Sequence, residues 1–176
     1  LAVARGQEKA PLVLKNARVL NVFTGEILEQ DVAICGERIA GLGQYTGLEE
    51  VDLGGRTLVP GFIDGHMHLE SSMMTPRQFA RAVVPRGTTS VVTDPHEIAN
   101  VLGAPGIHYL LDSAEGLPLD MWVMRSSCVP ATHLENAGAT LSADDLAALQ
   151  HPKLLGLAEM MNFPGLLNGD PECLKK

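Results

Sequence analysis

From about residue 58 onward, short apolar runs alternate with stretches of helical periodicity, one pair every ~30 residues. This rhythm restricts the fold more than any other feature of the chain. The apolar runs are residues 58–63, 88–93 (TTSVVT), 119–125 and 153–158, each of a length suited to a buried strand. Between them, Thr75-Pro76 supplies a cap followed by proline at the first helical position. Phe79, Ala82 and Val83 then share one helical face, and Gly87 stops the segment. Residues 105–114 place Ile107, Leu110 and Leu111 inward, and Ser142 caps a further helix that carries Leu146 and Leu149 and ends at His151-Pro152. Strands joined by crossover helices pair in parallel. Four such units make either half of a (β/α)8 barrel or a small open, doubly wound sheet.

Ahead of residue 58 the pattern is that of short strands and turns. Residues 1–11 read as a solvated lead-in. Residues 12–14 and 17–22 are two short runs, Thr24-Gly25 a turn, 27–34 a further strand, Cys35-Gly36-Glu37 a hairpin corner before 38–42, and Gly54-Gly55 separates two last extended runs. The expectation is a small antiparallel sheet or sandwich over residues 12–58, followed by four βα units over 59–176. A net charge of -8 repels phosphate backbones and argues against a nucleic-acid partner. No apolar run approaches the roughly 20 residues that span a bilayer. The opening LAVARGQEKA has neither a signal-peptide core nor an initiator Met, so the chain is expected to begin inside a longer protein. Three scattered cysteines form no disulfide framework, which suits a reducing cytoplasm.

The polar residues argue for the barrel, whose catalytic side chains sit at the C-terminal ends of the strands. Here the strands run into Asp64-Gly65-His66-Met67-His68, Asp94-Pro95-His96-Glu97, Ser126-Ser127-Cys128 and Glu159. In an extended segment His66 and His68 point to one side and can reach one metal ion, with Met67 turned inward and Gly65 keeping the crowded strand end slim. Two unrelated surface histidines are the plain alternative, and the apolar strand before them favours the metal. Glu159 either bridges two cations or faces solvent, and spacing alone leaves both open. Asp94, His96 and Glu97 suit acid/base work or a further cation, against a helix N-terminus decorated for its dipole. Glu70, Ser71 and Ser72 either touch substrate or cap the next segment. His108, His133 and His151 read as ordinary histidines, Met73-Met74 and Met160-Met161 as adaptable packing, and Cys128, with no base beside it, as inert.

The stretch PGFIDGHMHLESSMMTP, residues 60–76, resembles the amidohydrolase superfamily, and its continuation LESSMMTP is similar to the adenine deaminase family within it. DPHEIANVLG (94–103), SSCVPAT (126–132), GLAEMMNFPG (156–165) and the LAVARG lead-in resemble the same family. The resemblance implies the first half of a (β/α)8 barrel, preceded by part of a small β-sandwich domain. It implies a binuclear divalent metal centre, Mn2+ foremost with Fe2+ or Zn2+ as alternatives. His66 and His68 would be first-strand ligands, and Glu159 would take the bridging position held by a carbamylated lysine in many relatives. Asp94 and Glu97 would be the catalytic acidic pair, with Glu70, Ser71 and His96 binding substrate.

The implied reaction is adenine plus water to hypoxanthine plus ammonia, by metal-activated hydroxide attack at C6, in purine salvage or adenine catabolism. Glu97 would protonate a ring nitrogen, and an Asp at strand eight would act as base. A full barrel needs about 250 residues, and that Asp and the later-strand histidines are not among these 176. The expectation is therefore a truncated chain that is inactive and unstable alone, with the full-length protein a homo-oligomer. The alternatives are another cyclic amidohydrolase, dihydroorotase- or imidazolonepropionase-like, and a non-catalytic metal-binding protein. LESSMMTP and AEMMNFPG speak against the first, and the acidic cluster against the second.

Overall fold

The longest strand, β1 (Ala10–Leu20), joins what reads in sequence as two short runs. Its register against the next strand shifts between Leu14 and Ala17. Asn16 lies there with φ 55, and its backbone N–H donates to Asp31 Oδ1 at 3.1 Å. A bulge of this kind absorbs extra residues without ending the strand, which periodicity alone does not reveal.

The computed structural model describes residues 1–176, which divide into two units, Leu1–Pro60 and Gly61–Lys176. In the first, β1 is joined by β2 (Ile27–Cys35), β3 (Arg38–Gly43), β4 (Gly47–Asp52) and the short β5 (Thr57–Leu58). They form one sheet of order β3-β2-β1-β4, with β5 also on β1. The expected antiparallel pairing holds for β1–β2 and β2–β3, but β4 and β5 run parallel to β1, so the sheet is mixed. Val3 packs with Ala10, Val13 and Ala33 in a small core. The lead-in is thus not wholly solvated, because its one β-branched residue finds apolar neighbours.

The second unit is a parallel sheet of β6 (Phe62–Met67), β7 (Thr88–Thr93), β8 (Asp120–Arg125) and β9 (Leu154–Leu157), in the order β6-β7-β8-β9. A doubly wound sheet reverses its strand order at a switch point, whereas a barrel adds each strand beside the last. The sequential order is that of a partial barrel. β6 starts later than the run 58–63 suggests. Thr57 and Leu58 pair with β1 instead, and Pro60 has no N–H to give a ladder.

Helix α1 (Pro76–Val83) follows β6, α3 (Ala104–Ser113) precedes β8, and α4 (Ala143–Ala148) precedes β9. Two short helices, α5 (Phe163–Leu167) and α6 (Pro171–Lys175), end the chain. A further short helix, α2 (His96–Leu102), begins immediately after Pro95. The core joins Leu69, Phe79, Val91, Ile107, Leu110, Met121, Val123 and Leu146. Phe62 and Ile63 on edge strand β6 and Leu155 on edge strand β9 are exposed. No helix is long and apolar enough to cross a membrane.

Candidate metal centre

The four strands deliver their polar residues to one end of the parallel sheet, as parallel pairing requires. His66 lies near the end of β6, His68 just beyond it, Asp94 one residue past β7, Ser126 one past β8 and Glu159 two past β9. The rings of His66 and His68 have centroids 5.0 Å apart and nearly perpendicular planes. His68 and His96 follow at 4.5 Å. Met67, between the two first-strand histidines, packs against the core, so alternation along the strand separates packing from chemistry.

His68 is oriented by the chain itself. Its Nδ1 is 2.9 Å from the carbonyl oxygen of Asp94. A carbonyl only accepts, so Nδ1 carries the proton and, in the neutral ring, Nε2 keeps its lone pair. That Nε2 faces Glu159 Oε1 at 3.8 Å. Two acceptors face each other with no donor between them. Ligand atoms around one ion lie about 3.4 Å apart in a tetrahedral site and about 4.2 Å when trans in an octahedron, from bonds of ~2.1 Å. Three groups of residues bring their ligand atoms within 4.8 Å of one another: His66, His68 and Glu159; His68, His96 and Glu97; Asp94, His96 and Glu159. The imidazole-and-carboxylate donor set suits divalent metal ions, and the 3.8 Å between His68 Nε2 and Glu159 Oε1 falls within the range for two ligands of one ion.

Glu159 is half-exposed, but its backbone is held. Ser127 Oγ donates to its carbonyl, and the N–H of Met161 donates to Cys128 Sγ at 2.9 Å. Cys128 is buried and serves as packing and acceptor there.

Asp94 is 1% exposed, and both its oxygens are engaged. Ser126 Oγ donates to Oδ1 at 2.9 Å, and His96 Nδ1 lies 3.2 Å from Oδ2. Such a carboxylate fixes the imidazole and leaves its far nitrogen free. His96 Nε2 is 3.9 Å from Glu97 Oε2, which is also 3.5 Å from His68 Nδ1. That oxygen is buried and has no hydrogen-bond partner. Glu97 sits in the first turn of α2, so the helix N-terminus and the acidic cluster are the same feature and not alternatives.

Glu70 and Ser71 open a single 3-10 turn after His68. The Glu70 Oε1 accepts from the backbone N–H of Ile98 at 3.1 Å, and Ser71 Oγ donates to Glu97 Oε1 at 3.3 Å. Burial pushes the Glu70 carboxyl above its ordinary range, outweighing the backbone hydrogen bonds it accepts. Gly65 has a different reason from the one expected: a Cβ there would meet nothing within 4 Å. It lies where the β6–β7 register shifts, between Asp64 and Met67.

The place of Ser126 directly after β8 is legible in the sequence, but its role as the partner of Asp94 comes from the fold. Thr93, fully buried, accepts from the Leu69 N–H at 3.2 Å and ties the turn after His68 to β7. His108 and His133 are exposed and lie on α3 and in a loop. His151 accepts from the Lys153 N–H.

A sequential parallel sheet with imidazoles and carboxylates gathered at its C-terminal end is the build of a partial barrel with a candidate metal site. Residues 57–172 match the amidohydrolase family, and the chain belongs to it. It is 57% identical over 173 residues to an adenine deaminase of Brucella anthropi, covering 97% of this chain and 31% of that one. It is 58% identical over 174 residues to one of Cereibacter sphaeroides, covering 98% and 31%. With one of Kosmotoga olearia it shares 52% over 179 residues, covering 100% and 31%. The chain spans about a third of the length of these relatives. Among solved structures, the zinc complex of atrazine chlorohydrolase TrzN from Arthrobacter aurescens superposes with a TM-score of 0.60 at 16% identity, covering 88% of this chain and 48% of that one. D-aminoacylase, described with a binuclear metal centre, gives 0.50 at 21%, covering 65% and 29%. These two likenesses concern the fold.

Proposed function

We propose that the protein deaminates adenine hydrolytically, giving hypoxanthine and ammonia, with His66, His68 and Glu159 holding a divalent metal, Mn2+ foremost. The facing acceptors His68 Nε2 and Glu159 Oε1 carry the hydrolytic part of this reading. Adenine enters from the name shared by relatives 52–58% identical over nearly all of this chain. Because those relatives are about three times as long, the activity is proposed for a protein of their length.

When bound, the metal supplies an activated water and polarises the carbon under attack. The chain's own residues set the rest. In the reaction a C–O bond forms at C6 and the C6–N bond breaks, so a ring nitrogen gains a proton as C6 becomes tetrahedral and the departing amine gains another. Glu97 Oε2, buried beside His68 and His96 and without a donor, is the place where such a proton is held. Asp94, with both oxygens engaged, acts by aligning His96 and not by touching substrate. The Asp94 carbonyl keeps the His68 ring turned so that Nε2 faces Glu159.

The test is ammonia release from adenine, cytosine and cyclic amides by protein of the relatives' length, after reconstitution with Mn2+, Fe2+ or Zn2+ separately. The reading expects adenine to be preferred, and expects the 176-residue chain assayed alone to be inactive. Preference for a cyclic amide would overturn the substrate, and full activity in metal-stripped protein would overturn the chemistry.

A further inference from the structure

We infer that Glu70 is a positioning residue for Glu97: it holds the first turn of α2 from outside the helix and so sets where the Glu97 carboxylate stands. The inference rests on the deaminase reading for its kinetic consequence and on geometry alone for the tether. Helix α2 starts after Pro95, which offers no side-chain acceptor to the free N–H groups of the first turn. The Ile98 N–H is instead taken by Glu70 Oε1, 28 residues earlier in the chain. Its neighbour Ser71 holds Glu97 Oε1. Two consecutive residues of the turn after His68 therefore hold two consecutive residues of α2, one by its side chain and one by its backbone.

The arrangement leaves Glu97 Oε2 turned toward His68 Nδ1 at 3.5 Å. A free glutamate side chain spreads over many rotamers, and confining it needs fixed partners at both ends. The remaining oxygen of Glu70, Oε2, is closed off from solvent and has no hydrogen-bond partner. Glu70 thus holds α2 by one oxygen, while its other oxygen is enclosed in the fold.

The experiment compares Glu70→Ala and Glu70→Gln in protein of the relatives' length. Glutamine keeps an acceptor for the Ile98 N–H and loses only the charge. In E70A, kcat for adenine should fall ~10- to 100-fold, the range for residues that orient a site's working groups. KM should stay within about 3-fold, as for an interaction felt in the transition state, and metal content per chain should not change. E70Q should recover to within ~5-fold of wild type. Independently of turnover, the Ile98 amide should exchange with solvent ~10-fold faster in E70A, as for a lost hydrogen bond, but not in E70Q.

Unchanged Ile98 exchange in E70A overturns the tether. A raised KM at constant kcat, or E70Q as slow as E70A, overturns the positioning part in favour of direct contact through the charge. If wild type does not deaminate adenine, the proposed function falls while the exchange arm still decides the tether. Should E70A not fold, Glu70→Met, which has similar volume but no comparable acceptor, takes its place in the same comparison.

Discussion

His68 Nε2 faces Glu159 Oε1 across 3.8 Å, while the other nitrogen of the same ring is committed to the carbonyl of Asp94. In the neutral ring a lone pair set against a carboxylate oxygen is unfavourable unless a cation lies between them, and this facing pair organises the candidate site. His68→Ala should therefore lower divalent-metal affinity about 100-fold or more. Metal titration followed by elemental analysis of the washed protein checks this, with His108→Ala, on an exposed helical histidine, expected to leave affinity unchanged.

The buried Asp94 depends on Ser126. Removing the hydroxyl in Ser126→Ala leaves a carboxylate oxygen at 1% residue exposure without its donor. The expected cost is ~1.5–3 kcal/mol, the range for hydrogen bonds to charged groups. Denaturant unfolding measures it, and Asp94→Asn combined with Ser126→Ala should cost less than the two changes added separately.

Gly106 lets α3 approach α2. A Cβ at that position would lie 2.8 Å from the carbonyl oxygen of Ile98, a backbone atom that cannot swing away. Gly106→Ala should thus cost ~1–3 kcal/mol by overpacking. It should also disturb the turn that carries His96 and Glu97, read as a lowered metal affinity alongside the lowered stability.

Ser142 closes a capping box with Asp145: its Oγ accepts from the Asp145 N–H at 3.1 Å, and Asp145 Oδ2 accepts from the Ser142 N–H at 2.8 Å. Ser142→Ala should cost ~0.5–2 kcal/mol without altering metal binding. Thermal melting against metal titration separates this effect from those above.

In the first unit, burial pushes the Asp31 carboxyl up, but hydrogen bonds from the Lys15 side chain and the Asn16 N–H outweigh it and hold the group below its ordinary value. A depressed folded-state carboxyl contributes stability above its unfolded value of 3.8, and that contribution is lost as pH falls through the folded one. Melting temperature should drop on acidification below about pH 4 more steeply in wild type than in Asp31→Asn. Equal slopes would show that the Lys15–Asp31 pair, 2.5 Å apart, adds nothing.

Local chemistry explains which features were legible in the chain. TTSVVT is β-branched at every position but Ser90 and forms β7 over the same residues, and Ser142 caps its helix as its sequence position suggests. His66 and His68, two apart at a strand end, point to chemistry because a strand repeats every second residue. Other features needed the folded coordinates. The bulge at Lys15 and Asn16 depends on Asp31, and α2 is capped by Glu70 from another loop, so neither has a local signal.

The sequence by itself determined the alternation of strands and helices and the residue types at the strand ends, since periodicity and composition act over a few neighbours. Tertiary structure alone decided that Glu159 meets His68 and that Glu97 stands beside both His68 and His96. Those meetings depend on strand order and register. Both are set by pairings between residues far apart in the chain, which no local window contains.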